Sequence, residues 1–167
     1  MGQAFSFNGS NQYVRVPANA NLPHGSAART VSMWVYTRST SWVPDQNTIF
    51  QSGVAGTTHG SFSLDMDNYP NMQFYTWNDD IVFNSGAALE GWIHIAMVYD
   101  GGTGTAVYVN GLPKSSKTLS GPLNTAVADL QIGAINYPGV LTSFFDGLVD
   151  EVQVYNRALS ASEVATV

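Results

Sequence analysis

The chain is expected to fold as an all-β, two-sheet antiparallel sandwich of the jelly-roll type, with one short C-terminal helix. Three observations lead there. Short runs rich in Val, Ile, Phe, Tyr and Thr recur along its 167 residues. Turn-forming residues separate the runs at a spacing of roughly 8–12, as in sandwiches and barrels. Two runs, Val31–Tyr36 and Trp92–Tyr99, are apolar on both alternating faces, which suits sheets covered on one side by a partner sheet and on the other by loops or ligand.

The first strands are expected at Ala4–Phe7 and Tyr13–Val16, separated by the Asn8-Gly9-Ser10-Asn11 turn. Val31–Tyr36, Thr48–Phe50 and Ser61–Met66 follow, then Asn68-Tyr69-Pro70-Asn71 turns the chain into Met72–Trp77. Ile81–Phe83 ends at Ser85-Gly86, and Ile93–Tyr99 ends at Asp100-Gly101-Gly102. Asn110-Gly111 is the sharpest turn signal, because both residues tolerate the positive φ of a two-residue hairpin, here joining Thr105–Val109 to Lys114–Thr118. Leu130–Ile132 and Leu148–Tyr155 complete the strands. Ser160 with Glu163 matches a capping box and marks the single helix. About a dozen strands exceeds a minimal immunoglobulin-type sandwich and favours a jelly roll.

No linker, composition shift or internal repeat divides the chain, so residues 1–167 read as one domain, expected to come from a larger secreted protein. Cysteine is absent, which excludes a disulfide framework. Charged residues make up 11%, against roughly 25% in ordinary domains, while 58 of the 167 residues are Gly, Ser, Thr or Asn. The surface is therefore built from hydroxyls and amides. A net charge of -6 with six scattered basic residues gives no patch to track phosphates, so nucleic acid is not an expected partner. No apolar run approaches the ~20 residues of a membrane span, and any export signal must lie outside this stretch.

Specific strings carry more than periodicity. Phe7-Asn8-Gly9-Ser10-Asn11-Gln12-Tyr13-Val14, Val31-Ser32-Met33-Trp34-Val35, Trp92-Ile93-His94-Ile95-Ala96-Met97-Val98-Tyr99-Asp100, Tyr108-Val109-Asn110-Gly111 and Phe145-Asp146-Gly147-Leu148-Val149-Asp150-Glu151-Val152-Gln153-Val154-Tyr155-Asn156-Arg157-Ala158-Leu159-Ser160 occur in that order. Together they resemble the bacterial branch of the laminin G-like, concanavalin A-like jelly-roll family, over nearly the whole chain. The resemblance implies two packed antiparallel sheets, secretion, and usually a non-catalytic role in multidomain bacterial proteins that attack or adhere to polysaccharide. It does not imply one ligand, because a fold shared so widely assigns no function without a site.

Strict alternation through the last strand puts Asp150 on the same face as Leu148, Val152 and Val154. An inward carboxylate is costly unless it is paired or metal-bound. Calcium takes oxygen ligands, and the opening turn is rich in them. In the family the opening turn and this final Asp commonly frame a structural ion, so the resemblance implies calcium with Asn8, Asn11, Asp146 and Asp150 as ligands. Asn8 stands where many relatives carry Asp, which implies weaker binding. The alternative is that Asp150 caps backbone N–H groups or pairs with Arg15 or Arg157.

Sugars present apolar C–H faces and a rim of hydroxyls, so a sugar site pairs exposed aromatic rings with amide, carboxylate, imidazole or guanidinium side chains. Of the 20 aromatics, Phe5, Phe7, Phe62, Tyr99, Tyr108 and Phe145 fall in strand runs, and Trp34 and Trp92 stand where the family itself places aromatics. All eight are expected in packing roles. Loops or strand ends outside the family strings hold Trp42, His59, Tyr69, Trp77 and Tyr137, and loops on a rigid scaffold concentrate binding residues. Trp77-Asn78-Asp79-Asp80 joins one aromatic ring to three acceptor side chains, and Tyr75 shares a strand face with Trp77. Trp42, Trp77, Tyr75, Asp79, Asn78, His59 and Tyr137 are therefore the expected carbohydrate contacts. The ordinary alternative for Trp42 and Trp77 is to cover sheet edges, and clustering separates the two. Asp65 and Asp67 share one strand face and suit a solvated groove or turn edge.

A glycosidase needs two carboxylates roughly 5–9 Å apart, and the laminarinase-type relatives carry Glu-x-Asp-x-x-Glu along one strand. That run does not occur here, and Glu90, Glu151 and Glu163 recommend no pair. Nucleophile elbows, phosphate loops and zinc spacings are also missing from the sequence. The expected function is a non-catalytic carbohydrate-binding module, extracellular and monomeric, binding a neutral or weakly charged polysaccharide or oligosaccharide. The rivals are a protein-binding or spacer domain of an adhesin, and a polysaccharide lyase or glycosidase using His59 or His94 with Tyr75 or Tyr108.

Overall fold

The computed structural model describes residues 3–19, 21–38, 48–86, 90–137 and 139–167. Fourteen strands are present among them: β1 (Phe5–Asn8), β2 (Val14–Val16), β3 (Arg29–Thr37), β4 (Thr48–Gly53), β5 (Ser61–Met66), β6 (Asn71–Tyr75), β7 (Ile81–Asn84), β8 (Trp92–Tyr99), β9 (Gly104–Val109), β10 (Leu112–Thr118), β11 (Leu130–Ile132), β12 (Ile135–Tyr137), β13 (Val140–Thr142) and β14 (Asp146–Tyr155). A first sheet orders them β1-β14-β3-β8-β9-β10, a second β2-β11-β4-β5-β6-β7, and β12-β13 form a separate hairpin. All strand pairs in the three sheets are antiparallel, and the expected two-sheet sandwich is the observed one.

Alternation explains the core. Met33 and Val35 of β3, Ile95 and Met97 of β8 and Val149 of β14 turn inward from the first sheet, and all are fully buried. From the second sheet Phe50, Phe62, Leu64, Met72 and Phe74 meet them, with the Phe62 and Phe74 rings edge to face at 4.8 Å. Burying each such side chain contributes about 1.5–3 kcal/mol. Between the sheets lies one cation, Arg29. Its guanidinium and Nε donate to the carbonyls of Pro23, Gly25 and Ala27 and to Thr125 Oγ1, and it sits over the Phe62 and Tyr99 rings. Burial draws its pKa down to about 10, so it stays charged at neutral pH.

The Asn110-Gly111 hairpin forms as its composition requires, with φ of 50° and 76° at the two residues. Helix α1 (Ala161–Val164) starts at the expected capping box: Ser160 Oγ accepts from Glu163 N, and Glu163 Oε2 accepts from Ser160 N. Nothing in the sequence announces the hairpin β12-β13, because two three-residue strands give too short a pattern to show alternation.

The outer face of the first sheet is only partly covered. Leu159 and Val164 of the C-terminal segment pack on Ala96, Val98, Ala106 and Tyr108. Farther along β3 and β8, Trp34 remains 37% exposed. Phe5 is 51% exposed as well, so Phe5 and Trp34 are not core residues as expected. Phe7 is, and Gly133 permits it: a Cβ at Gly133, whose φ is 87°, would lie 2.7 Å from the Phe7 ring.

Candidate functional site

The second sheet carries the aromatic cluster. Phe74 of β6 is buried in the core, so Tyr75 points to the opposite, outer face. The strand ends there, and the chain reverses through Thr76–Asp80 with Trp77 at φ 67° and Asn78 at φ 99°. A bulky residue in the left-handed region is an outlier that surrounding structure must hold. Three contacts hold this one. Asp80 Oδ1 accepts the N–H groups of Thr76 (2.7 Å) and Trp77 (3.0 Å), and the Trp77 carbonyl accepts from His59 N at 3.0 Å. Burial raises the Asp80 pKa while the two N–H groups oppose it.

The turn aims Trp77 at two tyrosines. Its indole meets Tyr75 edge to face at 5.2 Å and stacks on Tyr137 at 5.7 Å with an interplanar angle of 25°. Tyr137 comes from β12 and is 47% exposed, the most open ring of the three. The hairpin that delivers it is fastened to the outer face of β4, where Gln51 accepts from Asn136 N (2.7 Å) and donates to the Asn136 carbonyl. Gly56, with φ 98°, passes beside the Tyr137 ring. Three aromatics, two of them 62 residues apart in the sequence, thus share one surface.

Polar neighbours divide into rim and support. Asn78 is exposed and donates Nδ2 to Thr58 Oγ1 at 2.7 Å, which leaves its carbonyl oxygen at the rim. Asp79 supports the turn from below. Ser120 donates both its N–H and its hydroxyl to Asp79 Oδ2 (2.6 Å each), His59 Nε2 lies 2.9 Å from the same oxygen, and Lys117 Nζ lies 3.4 Å from Oδ1. Ser120 first, then His59 and Lys117, hold the carboxyl well below the usual carboxylate range. His59 is 6% exposed. Asp79 and His59, both expected among the carbohydrate contacts, fasten the loop through these bonds. Trp42 lies outside the described residues. Thr58 and Gly56 join the site with no distinguishing sequence signal.

This outer-face site sits on a fold shared with known proteins. The laminin G-type model of the concanavalin A-like lectin/glucanases superfamily matches residues 8–165. The chain belongs to that superfamily. A search of the curated proteins returns no match. Among solved structures, domain 4 of a GH43 extracellular arabinanase from Geobacillus stearothermophilus, solved in complex with arabinotriose, is similar at 25% identity and TM-score 0.74, covering 99% of this chain and 76% of that one. A SAP-like pentraxin from Limulus polyphemus aligns at 18% identity and TM-score 0.70 over 96% and 79% of the two chains. A sialidase from Streptococcus pneumoniae aligns at 19% and TM-score 0.75, covering 99% of this chain and 27% of the other. The last two likenesses concern the fold alone.

In the laminin G-like domain three of the expected calcium ligands, Asn8, Asn11 and Asp146, lie together at the opening turn, while Asp150 stands apart. Asp146 and Asp150 are four residues apart on β14, about 13 Å along an extended strand. Asn8 pairs with Asp146, and Asn8 Oδ1 accepts the N–H groups of Ser10 (3.1 Å) and Asn11 (3.2 Å) while its Nδ2 donates to Asn11 Oδ1 (3.0 Å). The amide oxygens that would meet an ion are thus committed to the turn, and Asp146 faces Arg38 at 3.8 Å. As placed, the four residues do not fit one ion. Strict alternation also misplaced Asp150. A bulge between Asp150 and Gln153, with Glu151 at φ 48°, resets the strand so that Val149, Val152 and Val154 all meet the core while Asp150 points outward. There Asp150 Oδ1 accepts from Glu151 N at 2.9 Å, the capping alternative, while Arg15 pairs with Asp129 and Arg157 with Glu163.

Proposed function

We propose that this laminin G-like domain is a non-catalytic carbohydrate-binding module of a secreted bacterial protein, and that a sugar binds over Tyr137, Trp77 and Tyr75 with Asn78 at its rim. The observation that carries this reading is the convergence of the three rings on one outer surface, with Trp77 held in a left-handed conformation that a glycine would adopt at lower cost. Aromatic faces take the C–H side of a sugar, and amide and hydroxyl groups take its rim. The arabinotriose held by the similar arabinanase domain supports a short neutral oligosaccharide as the ligand class. The domain's charge of -6 disfavours heavily sulfated polymers.

Calorimetry and affinity electrophoresis with arabinotriose, arabinan, xylan and laminarin test the proposal. Tyr137→Ala and Trp77→Ala are each expected to weaken binding at this site at least about ten-fold, or ~1.4 kcal/mol, with Tyr137→Ala leaving the melting temperature near wild type. Unchanged affinity in both variants would remove the site. Release of reducing ends or unsaturated sugars by the purified domain would replace binding with catalysis.

A further inference from the structure

The outer face of the first sheet, on the other side of the sandwich, holds a second aromatic surface. In the register of β14, β3 and β8, Asp150, Trp34 and His94 form one rung, and Leu148, Tyr36 and Trp92 form a neighbouring one. Trp34 and His94 meet at 5.5 Å with a tilt of 53°, and Tyr36 and Trp92 at 5.5 Å with a tilt of 55°. The rungs are about 7 Å apart, two residues along a strand. The C-terminal segment covers Ala96, Val98, Ala106 and Tyr108 farther along this face, yet Trp34 stays 37% exposed. The double-sided apolarity of β3 and β8 is thus answered by packing over only part of its length.

The rim narrows the choice of occupant. Asp150 and the exposed Glu151 border the Trp34 rung, and the Glu151 charge acts on His94, whose pKa burial nevertheless lowers. Arg38, two residues beyond Tyr36, donates to Ser6 Oγ and the Phe7 carbonyl and faces Asp146. An apolar partner would desolvate Asp150 and Glu151 without offering them donors, which costs more for a carboxylate than for a neutral polar group. A second copy of the chain would bring a like acidic rim and another charge of -6 to the contact. A glycan supplies C–H faces for the rings and hydroxyl donors for both carboxylates.

We infer that the Trp34, Tyr36 and Trp92 face, backed by the buried His94 and bordered by Asp150 and Glu151, is a second glycan-binding site, and that the domain is bivalent. It shares a ligand class with the proposed function but none of its residues. Because the two sites look outward from opposite sheets, one chain can bridge two polysaccharide strands.

The test uses the whole chain with arabinotriose for stoichiometry, and arabinan, xylan and laminarin for turbidity. Wild type is expected to bind about two oligosaccharides and to cross-link a polymer, while Trp34→Ala and Tyr137→Ala each bind about one and fail to cross-link. Trp34→Gln, which keeps a side chain over His94, serves as a second variant, and circular dichroism confirms that each folds. Loss of binding in Tyr137→Ala with none in either Trp34 variant overturns this inference and keeps the first site. The reverse pattern overturns the first and keeps this one. Absence of binding to every probe overturns both. A dimer in sedimentation that Trp34→Ala dissolves assigns the face to a second copy and overturns the inference.

Discussion

Asp65 offers the sharpest quantitative check on the second sheet. It lies on the outer face of β5 between Thr48 and Gln73, and among the described residues its buried Oδ1 has no hydrogen-bond partner and no ion pair includes it. Burial pushes its pKa up to about 7, with the Asp80 charge adding to the rise and a Thr48 hydrogen bond opposing it. An acid raised in the folded state binds more protons folded than unfolded between its two pKa values. Stability therefore falls as pH climbs from the unfolded value of 3.8 to about 7. Above that window both states are ionised and the full penalty remains, which the shift sets at up to about 4 kcal/mol. Asp65→Asn keeps the shape and the acceptor but removes the charge. Urea unfolding at several pH values is expected to show the variant level with wild type near the lower end of the window. Its advantage should then grow to roughly 2–4 kcal/mol above the upper end. A difference between the two proteins that does not change with pH would refute the reasoning.

Asp79→Ala removes the acceptor shared by Ser120, His59 and Lys117, and unfolding should become easier by about 2–4 kcal/mol because those donors lose a charged partner. Asp79's own contribution is present above its ordinary pKa of 3.8 and lost as pH falls below it, so the wild-type and Asp79→Ala stability curves should converge in acid. Parallel curves would count against the network. For the opening turn, melting temperatures in EDTA and in calcium are expected to coincide, since Asn8, Asn11, Asp146 and Asp150 do not meet at one point. A calcium-dependent rise that Asp146→Asn removes would show that the turn rearranges to hold the ion.

Most strands were legible from composition and alternation, because each is a local pattern with its own turn. Ser61–Met66 and Leu130–Ile132 occur with the expected bounds, and the Asn110-Gly111 and Ser160 signals act as read. Alternation failed at Asp150 because one left-handed residue, Glu151, shifts the phase of the strand, and nothing in a Val-Asp-Glu-Val run announces a bulge. Trp34 departs from the packing role expected of it because a strand pattern tells which residues share a face, not whether the next layer covers it.

The candidate site divides the same way. Trp77, Tyr75, Tyr137 and Asn78 could be singled out as aromatics and acceptors outside the strand framework, from residue type and position alone. That Tyr137 stacks on Trp77, that His59 and Asp79 are spent on holding a loop, and that the acidic rim of the opposite face borders four aromatic rings all depend on pairs far apart in sequence. The sequence by itself determined a sparsely charged, hydroxyl-rich two-sheet domain, since those properties follow from local pattern and composition. Only the tertiary structure decided which polar groups have partners and which rings meet solvent, because hydrogen-bond satisfaction and exposure belong to contacts between strands, not to any strand alone.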